Sequence, residues 1–281
     1  MLKKIACIFL ALILAAALTT PITAQDSNDR DVEAERLVYD NSWDKGVVVV
    51  LYQSRQYGTG WWVNLEDKIL VTAAHVVNFD SSADQNDITI IRGTWTTKGK
   101  VIYLDRYSDI CIIQADQVPE GAYEFAVAQG VSKGDEIIVI GYPYELLQVY
   151  ANNIYRMSMN PRASFGTVTW IEEPYRLAEI GTYTDAGNSG GPVVNRKGAV
   201  VGLVTFALTG RSATLYFMST CHAVKEVLDR AGIHYRVAPE FLEVENSYLS
   251  SNPKISLIIS GLGAFIIGVM VTMFMVKSKK R

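Results

Sequence analysis

Side chains that build metal sites and disulfide frameworks are scarce in this sequence. Three cysteines and three histidines are spread over 281 residues, and no cluster of His, Cys and carboxylates has the spacing of a metal site. We therefore predict neither a metal nor another cofactor. Loss of Cys7 with a predicted signal peptide would leave Cys111 and Cys221, for which we favour buried free thiols over a disulfide.

Positive charge is also in short supply. The formal net charge is −3, and charged residues make up 20% of the chain without gathering into a basic face. Nucleic-acid binding needs such a face, because Lys and Arg side chains must neutralise phosphates. We therefore expect no nucleic-acid partner. Self-similarity at a period of roughly twenty to fifty residues is missing as well, which argues against a solenoid or propeller.

Both ends of the sequence carry apolar runs that predict membrane targeting. Residues 1–24 place two lysines ahead of about fourteen apolar residues, typical of a secretory signal peptide, with an uncleaved anchor as the alternative. Residues 255–276 contain no charge and are long enough to cross a bilayer as a helix. Residues 277–281 are mostly basic, so the positive-inside rule predicts a cytoplasmic tail and a large domain outside the cytoplasm.

Between these segments the sequence predicts an all-β domain. Short runs rich in Val, Ile, Tyr and Thr alternate with turn residues, about six before a break at residues 119–121 and about six after it. The predicted strands are residues 46–53, 58–63, 68–72, 87–92, 98–104, 109–114, 136–141, 163–170, 178–184, 191–195, 199–206 and 213–218. Apolar residues from Val224 to Ala231 recur with helical spacing and predict one helix near the end of the domain.

The changes in composition along the chain also predict the domain boundaries. The predicted segments are a polar lead-in, flexible or helical, at residues 25–42, two β halves at residues 43–118 and 119–237, and a polar stalk at residues 238–254.

One set of residues meets the requirements of nucleophilic catalysis by serine. Ser189 lies in a glycine-rich turn between predicted strands, where glycine allows positive φ and close backbone approach. The N–H groups of Gly187 and Ser189 would then stabilise the oxyanion of a tetrahedral intermediate. His75, at the end of a strand, would take the proton of the hydroxyl, and Asp109, at the start of another, would hold the imidazole.

Each of these residues also has a plainer interpretation. A lone histidine such as His75 is more often a surface or hydrogen-bonded core residue. Asp109 follows a Tyr-Ser pair and can be a turn residue, and Asp105 is a rival carboxylate four residues earlier. His222 and His234 flank the predicted helix, so we interpret both as helix-terminus residues rather than bases.

Five short motifs, including those that contain His75, Asp109 and Ser189, follow the order and approximate spacing seen in the trypsin-like serine peptidases. The sequence resembles the bacterial stress-protease branch of that family, the Deg/Htr-like peptidases, over about residues 47–228. The matching motifs are Gly58-Thr59-Gly60-Trp61, Val71-Thr72-Ala73-Ala74-His75, Ser108-Asp109-Ile110, the turn from Gly187 to Pro192, and the strand from Val201 to Phe206. The resemblance implies two six-stranded antiparallel β-barrels with a C-terminal helix. It also implies a cleft that receives His75 and Asp109 from the first barrel and Ser189 from the second.

The resemblance also implies the residues that contact substrate. Thr205 occupies the position where a hydroxyl supports the catalytic carboxylate, and Thr205, Phe206 and Ala207 form the edge to which an extended polypeptide adds as a β-strand. Tyr183 falls near the base of the primary specificity pocket, where relatives specific for Lys or Arg carry Asp. We therefore expect a small or medium apolar side chain before the scissile bond.

Two departures from the family pattern bear on regulation. Asn188 replaces the Asp that binds a freed amino terminus in zymogen-activated relatives, so activation by that ion pair is not expected. The polar stalk is too short for the PDZ domain that stress-protease relatives usually carry.

The sequence thus predicts a membrane-anchored serine endopeptidase acting on extracytoplasmic polypeptides. The alternatives are a catalytically silent, membrane-tethered binding module with the same fold and an esterase with the same triad. The oligomeric state stays open.

Overall fold

The structure is a computed structural model that describes residues 24–77, 87–172, 176–211 and 213–239. The predicted transmembrane segment, the basic tail, and all but one residue of the predicted signal peptide lie outside the described residues. Among the residues that are described, no helix is both long and apolar enough to cross a membrane.

The first six strands close into an antiparallel barrel in the order β1-β2-β3-β6-β5-β4. They are β1 (Val47–Tyr52), β2 (Gln56–Asn64), β3 (Ile69–Ala73), β4 (Ile88–Arg92), β5 (Trp95–Asp105) and β6 (Ile110–Ala115). Aliphatic side chains of β1, β3 and β6 fill its interior and are almost entirely buried. Closure leaves no unpaired strand edge, which makes these β-branched runs safe from edge-to-edge aggregation.

A second antiparallel barrel follows in the order β10-β11-β12-β9-β8-β7. Its strands are β7 (Glu136–Gly141), β8 (Arg162–Ile171), β9 (Leu177–Ile180), β10 (Pro192–Val194), β11 (Val200–Thr209) and β12 (Thr214–Thr220). The prediction of two six-stranded barrels is therefore confirmed. β9 ends at Ile180 rather than at residue 184, because the chain leaves the sheet there to form one wall of a cleft.

The polar lead-in forms a helix, α1 (Ala24–Asp40), that packs against β8 of the second barrel. Ala34 and Val38, one turn apart, are fully buried, and a buried valine contributes about 1.5–3 kcal/mol. Asp31 accepts the Phe165 N–H at 2.8 Å, while an ion pair between Arg30 and Glu136 adds little because it is exposed. The lead-in, which the sequence predicts to be flexible or helical, is therefore helical over these residues and packs on the second barrel.

Within the described residues, three further α-helices follow in the second half. The predicted helix near the end of the domain is confirmed as α4 (Cys221–Arg230), whose apolar stripe packs on β11. Two short helices that the sequence analysis did not predict, α2 (Tyr144–Val149) and α3 (Ile154–Met157), lie between β7 and β8. Cys111 and Cys221 are both buried and free.

Candidate active site

His75 and Asp109 come from paired strands of the first barrel. β3 and β6 run antiparallel with Ala73 opposite Ile110, so the residues just beyond this pair lie side by side. Asp109 Oδ2 is 2.7 Å from His75 Nδ1, and Oδ1 of the same carboxylate accepts the His75 backbone N–H at 2.9 Å. This two-point contact fixes the imidazole and leaves Nε2 available as a base.

Asp109 has left-handed backbone geometry, with φ at 53°. Such a conformation costs roughly 1–3 kcal/mol for a residue with a side chain, although Asp tolerates it better than most. The carbonyl of Asp109 accepts the Ala74 N–H at 3.0 Å, which helps to hold the conformation. The rival carboxylate, Asp105, instead accepts the Ser108 N–H at 2.8 Å and pairs with Arg230, so it stabilises the preceding turn.

Ser189 enters the same cleft from the second barrel, in the turn that precedes β10. His75, Asp109 and Ser189 all line this cleft, which has a volume of about 720 Å³. The Ser189 hydroxyl donates to the Thr205 carbonyl at 3.5 Å, and the described residues include no hydrogen bond between Ser189 and His75. Catalytic hydrogen bonds are often long or poorly aligned without substrate and tighten when it binds.

The backbone of the nucleophile turn has a conformation that needs glycine. Gly187 has φ at 94°, and a Cβ there would lie 2.3 Å from the Tyr142 carbonyl oxygen. Within the described part of the chain, neither the Gly187 N–H nor the Ser189 N–H donates to a backbone carbonyl. Two uncommitted N–H groups beside a serine hydroxyl are what an oxyanion hole requires.

The structure corrects the predicted role of Thr205. Its hydroxyl donates to the Phe217 carbonyl at 3.2 Å rather than to Asp109. A β-bulge between Val204 and Ala207 changes the register of β11 against β12, and the Thr205 side chain is almost fully buried there.

A different hydroxyl, which no sequence pattern indicated, supports the loop that carries Asp109. Ser219 Oγ, buried in β12, donates to the carbonyl of Ser108 at 2.5 Å and so fixes the residue next to Asp109.

Phe206, Ala207 and Tyr183, which were also predicted to contact substrate, all line the cleft. Phe206 stacks on Phe217 with ring centroids 5.0 Å apart, and Ala207 lies opposite Tyr216 in β12. Tyr183 was expected near the base of the specificity pocket, but its side chain is 60% exposed in the cleft wall. Its ring lies edge-on to Tyr216, 5.8 Å away.

A pair of carboxyl groups that the sequence analysis missed stands beside the nucleophile turn. Burial raises the pKa of Asp185, and its hydrogen bond to Glu145 raises it further. The same hydrogen bond lowers the pKa of Glu145. The Tyr183 hydroxyl also donates to Glu145, at 2.9 Å. Across the described ranges, no group of three or more His, Cys, Asp or Glu side chains is arranged to hold a metal ion.

A family model described as the trypsin-like peptidase domain matches residues 58–203, just over half of the chain. The chain belongs to the trypsin-like peptidase family. The motifs quoted above for the resemblance fall largely within this match, and the resemblance to the Deg/Htr-like branch is confirmed.

Curated relatives of this trypsin-like peptidase include two that represent the branch. The probable periplasmic serine endoprotease DegP-like of Rhizobium meliloti (strain 1021) is 29% identical over 179 residues, which are 62% of this chain and 33% of that protein. The serine protease HtrA-like of Staphylococcus aureus (strain USA300) is 27% identical over 140 residues, 48% of this chain and 18% of that protein. The chain thus spans about a third or less of the length of these relatives.

Solved structures share the fold of this trypsin-like peptidase. The Rv3671c protease from M. tuberculosis in its active form aligns with a TM-score of 0.56 at 21% identity, over 78% of this chain and 94% of that one. The serine endoprotease from Yersinia pestis aligns with a TM-score of 0.52 at 17% identity, over 76% of this chain and 68% of that one.

We expect Gly187→Ala to reduce the rate of labelling by a fluorophosphonate probe by about a hundredfold or more, because the added Cβ displaces an oxyanion donor. Gly134→Ala is the matched control, since Gly134 has φ at 93° but nothing within 4 Å of an added Cβ. Gly134→Ala should lose roughly 1–3 kcal/mol of stability from backbone strain, measured by urea unfolding, and Gly187→Ala should lose more because its Cβ also clashes with the Tyr142 carbonyl. Equal labelling rates for the two would contradict the role of the turn.

Proposed function

We propose that this chain is a membrane-anchored serine endopeptidase that hydrolyses extracytoplasmic polypeptides with His75, Asp109 and Ser189 as its triad. The observation that carries the proposal is the 2.7 Å contact between His75 Nδ1 and Asp109 Oδ2, in a cleft that Ser189 also lines. Membership of the trypsin-like peptidase family supports the reaction class.

The chemistry follows from these groups. Ser189 Oγ attacks the carbonyl carbon of the peptide bond while His75 Nε2 takes the hydroxyl proton, and Asp109 stabilises the resulting imidazolium. The N–H groups of Gly187 and Ser189 donate to the oxyanion. The C–N bond then breaks, and His75 passes its proton to the leaving amine. Water hydrolyses the remaining acyl-enzyme ester by the same route, which restores the Ser189 hydroxyl.

An extended polypeptide is the substrate that the cleft suits best. The β11 segment from Thr205 to Ala207 borders the cleft and gives substrate main chain a strand to pair with. Ala186, Ala207 and Tyr216 also line it, which favours a small or medium apolar side chain before the scissile bond.

Asp109→Asn should lower kcat on casein-derived peptides by about 10⁴-fold, because an amide favours the wrong imidazole tautomer. Asp105→Asn is the matched control, four residues away in the same loop, and should keep kcat within about threefold. Both proteins are assayed at equal folded concentration, verified by circular dichroism. A comparable loss of activity in the two variants would rule out the assignment of Asp109 to the triad.

Membrane anchoring rests on the sequence of the two chain ends. Residues 1–24 would direct export, residues 255–276 would span the bilayer, and residues 277–281 would stay in the cytoplasm. We propose that residues 25–237 form the exported domain and residues 238–254 the stalk. The Rhizobium meliloti relative is named as periplasmic, which is consistent with action outside the cytoplasm.

Fractionation of expressing cells tests the anchor. The full chain should sediment with membranes and resist carbonate extraction, whereas a chain that stops after residue 254 should be soluble. A chain that stops after residue 276 is the matched control, because it lacks only the basic tail and should still sediment. The anchoring proposal fails if the full chain and the chain ending at residue 254 partition identically.

A further inference from the structure

The nucleophile turn lacks the ion pair that shapes it in zymogen-activated relatives. Asn188 stands where those relatives carry Asp, and its side chain is only 6% exposed. The buried Asn188 Oδ1 has no hydrogen-bond partner in the described structure. Another group must therefore hold the left-handed backbone at Gly187 and aim the two oxyanion donors.

Thr59, in β2 of the first barrel, makes the contacts that hold this turn. The residue is fully buried. Its hydroxyl donates to the Gly187 carbonyl at 2.7 Å and accepts the Tyr142 N–H at 3.1 Å. Its backbone N–H donates to the Ser189 carbonyl at 2.9 Å, and its own carbonyl accepts the Thr72 hydroxyl at 2.7 Å. A single threonine thus joins both sides of the nucleophile turn to the opposite barrel.

These bonds fix the peptide planes that set the oxyanion donors. The Gly187 carbonyl belongs to the peptide between residues 187 and 188, and the Ser189 carbonyl belongs to the peptide that follows the nucleophile. The Ser189 N–H lies in the one peptide between them. Rotation of the Gly187 carbonyl away from Thr59 would break a buried hydrogen bond and leave its acceptor unpaired, which is unfavourable.

We propose that Thr59 is the positioning residue of the oxyanion turn, and that its side-chain hydroxyl sets the reactivity of Ser189 from the opposite barrel. This inference rests on the proposed serine peptidase function, because it concerns the orientation of the donors that the reaction uses. Thr59 does not contact the reacting atoms. The effect of its hydroxyl is transmitted through the Gly187 carbonyl, while its backbone N–H holds the Ser189 carbonyl.

The Thr59 hydroxyl has a role that neither the methyl group nor the volume of the side chain can replace. It is both a donor to a carbonyl and an acceptor from an N–H, and only serine among the other small side chains offers the same pair of functions. The surroundings are tight, since a Cβ added to Gly141 would lie 3.1 Å from Thr59 Oγ1. Thr59→Ser therefore preserves the contacts, whereas Thr59→Val keeps the shape and removes both.

Ser158 provides a matched control for the loss of a buried hydroxyl. It is fully buried, its hydroxyl accepts the Gly93 N–H at 2.9 Å, and it donates to the Tyr155 carbonyl at 3.0 Å. Like Thr59 it joins the two barrels, but its hydroxyl bonds to neither Gly187 nor Ser189. Ser158→Ala thus measures the cost of a lost inter-barrel hydrogen bond away from the turn.

The test measures the rate constant of fluorophosphonate labelling, kcat and KM on a peptide amide, and Tm for each purified full chain. Thr59→Val should label roughly 10- to 1,000-fold more slowly, up to the effect of a lost oxyanion donor, with KM changed less than about threefold. Thr59→Ser should label within about threefold of wild type. Ser158→Ala should lower Tm as Thr59→Val does and leave labelling unchanged.

A second pair of variants covers the case in which valine prevents folding. Thr59→Ala and Thr59→Ser differ from each other only by the hydroxyl. The alanine variant should therefore be labelled more slowly than the serine variant, by the same factor as that expected for Thr59→Val relative to wild type. Equal labelling rates of the alanine and serine variants, or of Thr59→Val and wild type, would overturn the role of Thr59 and leave the proposed function standing. A wild-type chain that folds but is not labelled would instead overturn the proposed function itself, and the role of Thr59 with it.

Discussion

The hydrogen bonds that cross from β2 to the nucleophile turn are the constraint on which the site depends. In the proposed mechanism, the base His75 and the carboxylate Asp109 belong to the first barrel and the nucleophile Ser189 belongs to the second, so the mechanism needs a fixed relation between two closed sheets. Thr59 joins the two barrels at the turn that carries Ser189. It does so through hydrogen bonds of 2.7 Å to the Gly187 carbonyl and 2.9 Å to the Ser189 carbonyl. Fully buried bonds of this kind are strong because they are shielded from water.

Left-handed backbone occurs at turns throughout the described chain, for example at Lys68 and Asn152, and it also occurs at the proposed site. Asp109 and Gly187 both have left-handed backbones, and each is held by bonds from a neighbouring strand or turn. Around the cleft, the two barrels consist of paired strands with largely aliphatic interiors, interrupted by a few β-bulges. A packed scaffold of this kind can stabilise costly backbone conformations at the proposed site, as a preorganised active site requires.

The strands and the helix α4 could be predicted because their information is local: β-branched runs between turn residues, and one apolar stripe. The resemblance supplied the pairing of His75 with Asp109, which no local pattern specifies. The predicted contact between the Thr205 hydroxyl and Asp109 is not seen. A bulge shifts the register of β11 at this point, and the hydroxyl donates to the Phe217 carbonyl instead. The bond between Glu145 and Asp185 joins distant segments, so only the folded chain reveals it.

The proposed function requires Ser189 to be a nucleophile activated by its surroundings rather than an ordinary serine in a glycine-rich turn. Intact-mass spectrometry after incubation with a fluorophosphonate distinguishes the two, with wild type and Ser189→Ala treated side by side. We expect one adduct per chain on wild type, located on Ser189, and none on Ser189→Ala. A folded wild-type chain without an adduct, or an equal adduct on Ser189→Ala, would contradict the proposed function.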